Sequence, residues 1–136
     1  MRVLALDYGS ARCGCAVSDP SGTIVTPLAA VERPDTRRGM HALGELVRSR
    51  EVERVVVGLP LSLRGTDTQQ TLAARAFAER LERRLGNGVG VEMHDERFTT
   101  RLAQRMSGAF AAGEDSRAAA ILLESWLAAH AGSRED

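Results

Sequence analysis

The feature that most narrows the fold is the run Val55-Val56-Val57, entered from Arg54 and closed by Gly58. Three consecutive β-branched residues leave no face for water. Such a run belongs to a strand buried on both sides, as in a parallel sheet covered by helices. A parallel strand needs a crossover to reach it. Thr36 to Arg50 supplies one, with Met40, Leu43, Leu46 and Val47 at helical spacing. The chain therefore reads as α/β.

The rest of the pattern fills in around that pair. Val3 to Leu6 is a short apolar strand ending in Asp7, and Tyr8-Gly9-Ser10 reads as a turn. Cys13 to Ser18 is a second strand, Asp19-Pro20-Ser21-Gly22 a turn, and Thr23 to Thr26 a third strand stopped by Pro27. Turns so closely spaced imply antiparallel hairpins. After the valine run, Leu59 to Thr66 reads as a loop and Asp67 to Leu85 as a helix, with Leu72, Ala73, Ala76, Phe77, Arg80 and Leu81 on one face. Gly86-Asn87-Gly88 ends that helix. Val89 to Met93 is a fifth strand, and His94 to Phe98 a polar turn. Thr99 or Thr100 caps a helix to about Phe110, and Asp115 caps a last helix carrying Ala118, Ala119, Ile121, Leu122, Leu123, Trp126 and Leu127. The tail from Gly132 is expected to fray. Right-handed crossovers from a central first strand give a five-stranded mixed sheet of order 3-2-1-4-5, flanked by about four helices. Residues 1–136 are read as one domain, a usual size for one.

Composition sets limits on function. Aromatics are 4% of the chain against 43% hydrophobic residues, so the core must be aliphatic. Eighteen basic residues balance eighteen acidic ones, and a dedicated nucleic-acid binder often carries a positive excess that is missing here. All eighteen bases are Arg, whose planar fork suits phosphate. Cys13 and Cys15 lie one residue apart with no His nearby, which disfavours a disulfide or a zinc site and fits two small buried strand residues in a reducing compartment. Met1-Arg2 leads straight into a strand, so no secretory signal is read. No apolar run reaches the roughly 18 residues a membrane span needs.

Three acids occupy positions where chemistry is expected. Asp7 closes the first strand, and ligands in open α/β sheets bind beyond the carboxyl ends of parallel strands. An Asp there serves equally well as a turn residue bonded to Gly9 or Ser10. Asp95-Glu96-Arg97 follows the fifth strand, with Thr99 and Thr100 offering hydroxyls and helix N-terminal amides suited to phosphate. Asp115 opens the last helix, where an acid is favoured on electrostatic grounds alone. Carboxylates brought to one end of a sheet repel, and hold together best around a cation. Oxygen ligands without His suit Mg²⁺ or Mn²⁺. Two such ions about 4 Å apart can activate a water and stabilise the leaving oxygen of a phosphodiester.

Four stretches carry a resemblance. Asp7 to Leu28 (DYGSARCGCAVSDPSGTIVTPL), Val55 to Gly65 (VVVGLPLSLRG), Asp95 to Thr100 (DERFTT) and Asp115 to Leu123 (DSRAAAILL) resemble, in order, the blocks of YqgF (RuvX) proteins and span almost the full chain. The resemblance implies an RNase H-like fold shared with resolvases of the RuvC type, and a cytoplasmic bacterial nuclease. Family members are assigned to 5′-end maturation of pre-16S ribosomal RNA, and some are discussed as Holliday-junction resolvases. It implies Asp7, Glu96 and Asp115 as the catalytic, metal-holding acids, with Mg²⁺ or Mn²⁺ as cofactor. Arg12, Arg97, Thr99 and Thr100 then become substrate contacts, and Ser62 and Arg64 of the second block join them. Two departures stand out: cysteines replace the usual aliphatics at 13 and 15, and the segment between Thr100 and Asp115 is short, with Arg101 and Arg105 its only bases.

The expected activity is metal-dependent hydrolysis of structured nucleic acid, foremost a ribosomal RNA precursor, within or near ribosomal precursor particles. Cutting of branched DNA by a homodimer is the first alternative to a monomeric RNA enzyme, and a non-catalytic nucleic-acid or ribosome-associated module the second. His41 and His130 read as helix-surface residues, Trp126 as core, and the Arg37-Arg38 and Arg80/Arg83/Arg84 clusters as solvated faces. Gly58 and Gly65 read as points of close approach. One geometric demand is explicit: the fifth strand lies beyond the fourth, so Glu96 must reach back to meet Asp7.

Overall fold

The computed structural model describes residues 1–86, 88–99 and 114–131, with backbone alone at 98, 99, 114 and 115. Five strands, β1 (Val3–Asp7), β2 (Arg12–Ser18), β3 (Val25–Glu32), β4 (Arg54–Leu59) and β5 (Gly90–Asp95), form one sheet of order β3-β2-β1-β4-β5. The β1–β2 and β2–β3 pairs are antiparallel, while β4 runs parallel to both β1 and β5. The described residues hold three α-helices: α1 (Arg37–Ser49), α2 (Gln69–Leu85) and α3 (Glu114–Ala129). The fourth expected helix, up to Phe110, lies outside the described residues.

The valine run accounts for the layering. Val55 and Val57 are fully buried with Leu4, Leu6, Cys13 and Cys15 against Met40, Leu43 and Val47 of α1 and Phe77 and Leu81 of α2. Val56 points the other way, with Val3, Ala5 and Ala16, into Ala119, Leu122, Leu123 and Trp126 of α3. Alternate strand residues thus feed two cores, one on each side of the sheet. The cysteines are buried and unbridged, as their surroundings suggested. Trp126 is core as expected, stacked on His130 at 4.0 Å.

Three expectations need correction. The third strand does not stop at Pro27 but continues through it to Glu32. β3 pairs only with β2, and an edge strand tolerates a residue that cannot donate to a neighbour on its open side. Helix α2 buries Thr71, Ala74, Phe77, Ala78 and Leu81, whereas Leu72 is 58% exposed. Its inner face is therefore rotated from the expected one: the helix starts at Gln69, capped by Thr68, and Thr71 is drawn inward. Thr68 and Thr71 satisfy each other's backbone N–H groups, and the Thr71 hydroxyl also donates to the Pro60 carbonyl at 2.5 Å. That bond ties the start of α2 to the carboxyl end of β4. Finally, α3 begins at Glu114, so Asp115 stands in its first turn rather than at the cap.

Candidate active site

Strands β1, β4 and β5 run in one direction and end together, at Asp7, Leu59 and Asp95. Alternation then decides which side chains meet. Val3 and Ala5 face α3, so Asp7 does too; Val56 faces α3, so Gly58 shares that side. His94 lies on the same face, its ring Nε2 2.9 Å from Ser125 Oγ of α3. Glu96 opens the 3-10 turn Glu96–Thr99 directly after β5, and its side chain lies against Gly58. It hydrogen-bonds the Asp7 carboxyl. The reach-back demanded by the strand order is therefore made by the Glu96 side chain itself.

Two carboxyls in contact cannot both stay ionised cheaply. Burial first, then the Asp7 charge and the shared hydrogen bond, push Glu96 up to about 7. The pair opens into a cleft of about 1210 Å³ whose wall includes Arg12, Pro60, Gln70 and Ser116. Oxygen-only donors, half-buried and repelling one another, form a donor set that fits a divalent cation of the Mg²⁺ or Mn²⁺ kind. Among the described residues no cluster of three His, Cys, Asp or Glu side chains is assembled. The expected third acid, Asp115, has no described side chain. Its neighbour Ser116 lines the cleft and donates its hydroxyl to the Leu28 carbonyl, which places the first turn of α3 at the cleft wall.

The turn after Asp7 is braced from the opposite layer. Tyr8 stacks on Phe77 with ring centroids 4.5 Å apart and donates its hydroxyl to Asp35. Burial and that bond to Asp35 raise the Tyr8 phenol to about 12, so it remains a donor throughout the neutral range. Arg80 holds Asp35 in turn, through its carboxylate at 3.1 Å and its carbonyl at 2.6 Å. Arg80 was expected on a solvated face. The three-residue chain from Tyr8 to Arg80 was not legible locally, because its members lie far apart in sequence and meet only once α1 and α2 pack.

The expected substrate contacts divide. Arg12 is exposed on the cleft wall. Arg97 forms a two-pronged ion pair with Asp95, from Nε at 2.9 Å and Nη2 at 2.6 Å, which holds the Asp95 carboxyl below its usual range. Its Nη1 also donates to the Leu63 carbonyl at 3.4 Å and sits where a Gly65 side chain would lie. Gly65 has φ +83, so its backbone too calls for glycine. Ser62 turns inward, its hydroxyl 2.6 Å from that of Thr66 and accepting from the Thr66 N–H at 3.1 Å. Arg64 is exposed on the same loop. The side chain of Thr99 and all of Thr100 lie outside the described residues. His94 serves the packing of α3 on β5, and burial lowers its pKa. We expect Arg97→Ala to speed amide hydrogen exchange at Gly65 and Thr66 by about tenfold while leaving β4 protected. Unchanged exchange in that loop would deny Arg97 its anchoring part.

A family model described as "RuvX: Holliday junction resolvase" matches residues 1–129. The chain belongs to the RuvX family. Among its relatives, a Nocardia farcinica protein is 41% identical over 93% of this chain and 77% of its own length. A Maridesulfovibrio salexigens protein is 37% identical over 94% of this chain and 98% of its own. Both carry the name "Putative pre-16S rRNA nuclease". Among solved structures, T. thermophilus RuvC in complex with Holliday junction substrate superposes with a TM-score of 0.66 at 14% identity, covering 98% of this chain and 96% of that one. That likeness fixes the fold of this RuvX-family chain as RuvC-like, in agreement with the strand order, and at such identity carries the fold alone. The family membership and the names of its relatives make the chain a nuclease of the hydrolase class.

Proposed function

We propose that this chain is a divalent-metal-dependent endonuclease whose domain, residues 1–136, cuts structured nucleic acid in the cytoplasm, and that its main task is 5′-end processing of pre-16S rRNA. The observation that carries the reading is the meeting of Asp7 and Glu96, from strands that are not neighbours, in a cleft beyond the carboxyl ends of β1 and β4. A buried like-charge pair is costly unless it has a use.

Asp7, Glu96 and Asp115 would hold Mg²⁺ or Mn²⁺, which when bound supplies Lewis-acid stabilisation of a phosphoryl oxygen and a water that deprotonates near neutral pH. Asp7 and Glu96 orient the attack from the floor of the cleft. With its carboxyl raised to about 7, Glu96 would give up its proton on holding the cation. Arg12, on the cleft wall, would grip a phosphate beside the scissile bond. Thr99, Thr100, Ser62 and Arg64 remain proposed contacts along the strand, and Arg97 acts through the loop it anchors. The neutral overall charge makes local cations such as Arg12 more important for substrate capture than any general basic field.

A second reading has its own support in the family description: the substrate would be branched DNA, cut by a homodimer. Matched incubations of a pre-16S rRNA 5′ fragment and a synthetic four-way junction, each with Mg²⁺, Mn²⁺ or EDTA, separate the two. We expect metal-stimulated cutting at one site in the RNA by a monomer. Paired symmetric cuts in the junction by a dimer would transfer the assignment. Tight binding without cutting of either would leave a non-catalytic module.

A further inference from the structure

We propose that Gly58 is a positioning residue whose missing side chain provides the passage by which Glu96 crosses β4 to reach Asp7. The proposal deepens the metal-site reading above and rests on it for its catalytic consequence.

The sheet order leaves β4 between the strand that bears Asp7 and the strand that leads to Glu96. Any side chain from β5 that is to meet Asp7 must pass over β4 on the face shared with α3. Gly58 is the β4 residue on that face at the carboxyl end, two positions after Val56. A Cβ built on Gly58 would lie 2.8 Å from Glu96 Cδ and 3.0 Å from Cγ, and closer still to Oε1. Cβ atoms essentially never approach other heavy atoms so closely. The three nearest atoms to that Cβ all belong to Glu96, so the space left open is taken by this one side chain.

The backbone gives no competing reason for a glycine. Gly58 is absent from the left-handed glycines Gly22, Gly65, Gly86 and Gly88, and it sits in regular parallel register opposite His94. Glycine inside a strand is disfavoured, since it loses the most freedom on folding and packs nothing. A glycine that the backbone does not need, at the single point where a catalytic carboxyl crosses a strand, is explained by that crossing. Because the obstructing atoms are the flexible end of Glu96 rather than backbone, a methyl group at 58 should displace Glu96 and leave the sheet intact.

The test is a cycle of Gly58→Ala, Glu96→Ala and the double variant, read by Mn²⁺ calorimetry, by cleavage kinetics and by crystal structures. We expect Gly58→Ala to weaken Mn²⁺ binding by about 10 to 100-fold, the usual effect of disturbing the support of a metal ligand. The loss should fall on kcat with KM for nucleic acid unchanged. In the Glu96→Ala background the same substitution should cost nothing more, since no clash remains. Refusal of Gly58→Ala to fold while the double variant folds would equally show that the space belongs to Glu96. Parent-like Mn²⁺ affinity, a penalty that persists without Glu96, or a Gly58→Ala crystal structure with Glu96 still on Asp7 would overturn the inference. If the parent protein binds no Mn²⁺ and cuts nothing, the nuclease reading fails separately, and the crystal structures still decide whether Gly58 sets the path of Glu96.

Discussion

The Asp7→Asn protein should fold as the parent does and cleave at about a thousandth of its rate or less. Asp7 ends the central strand and its carboxyl is the group that Glu96 meets, so it is the member of the centre with the least freedom to be replaced. An amide keeps the size and one acceptor oxygen but removes the charge that would bind a cation. Losing a preorganised electrostatic partner of a phosphoryl transition state costs about 10² to 10³-fold, and an acid that would also hold the cation should cost at least as much. Stability should move the other way. The amide no longer repels Glu96, so the EDTA-treated variant should unfold at an equal or higher denaturant concentration than the parent. Thermal or urea unfolding beside single-turnover cleavage separates the two effects. A variant that still cuts at the parent's rate would remove Asp7 from the chemistry, and one that does not fold would recast it as a structural residue.

The second large effect is a pH dependence. The Glu96 carboxyl lies at about 7 in the fold against 4.5 ordinarily, raised by burial and by Asp7. Its folded-state pKa is raised, so its contribution to stability is fully present below about pH 4.5 and is lost as pH climbs through 7. Taken at face value the shift would exceed 3 kcal/mol, but part of the side chain faces solvent, and about 1 to 2 kcal/mol is the expected loss. His94 tilts the opposite way in part of this window, because burial lowers its pKa. The difference between the parent and Glu96→Gln therefore isolates the carboxyl. Urea unfolding in EDTA at pH 5 and pH 8 should show the parent losing stability relative to Glu96→Gln. Mn²⁺ at pH 8 should restore it in the parent alone, and the apparent metal affinity should rise from pH 6 to 8 as the proton is displaced. Identical pH profiles for the two proteins would mean that Glu96 does not carry the shared proton.

Much of this arrangement could be read from the residues. Val55-Val56-Val57 announced a strand with two buried faces, and the closely spaced turns before it announced hairpins, which together fixed the sheet order. Asp7 and Glu96 were drawn from strand ends in the sequence, and the fold places them in contact. What escaped was set by tertiary packing. Pro27 looked like a stop because edge position is invisible before the sheet is assembled. The inner face of α2 was misjudged because Leu72 is more apolar than Thr71, yet Thr71 has a carbonyl to satisfy at Pro60. Arg97 was read as a substrate contact, and its ion pair with Asp95 and reach to the Leu63 carbonyl went unforeseen, since the loop before α2 comes beside it only in the folded sheet. Gly58 was read as a place of close approach, and its position at the end of a β-branched run between two acid-bearing strands was the available clue to what approaches it.

The cleft unites stretches that are far apart in sequence. Asp7 comes from β1 and Ser116 from α3, and the Ser116 hydroxyl closes onto Leu28 across 88 positions of sequence. A chain still emerging from the ribosome has β1 but not α3, so Val3, Ala5 and Val56 lie bare and the reaction chamber lacks a wall. The cleft is thus complete only once the whole stretch from β1 to α3 has been made and folded, so assembly of the site and closure of the second core are one event.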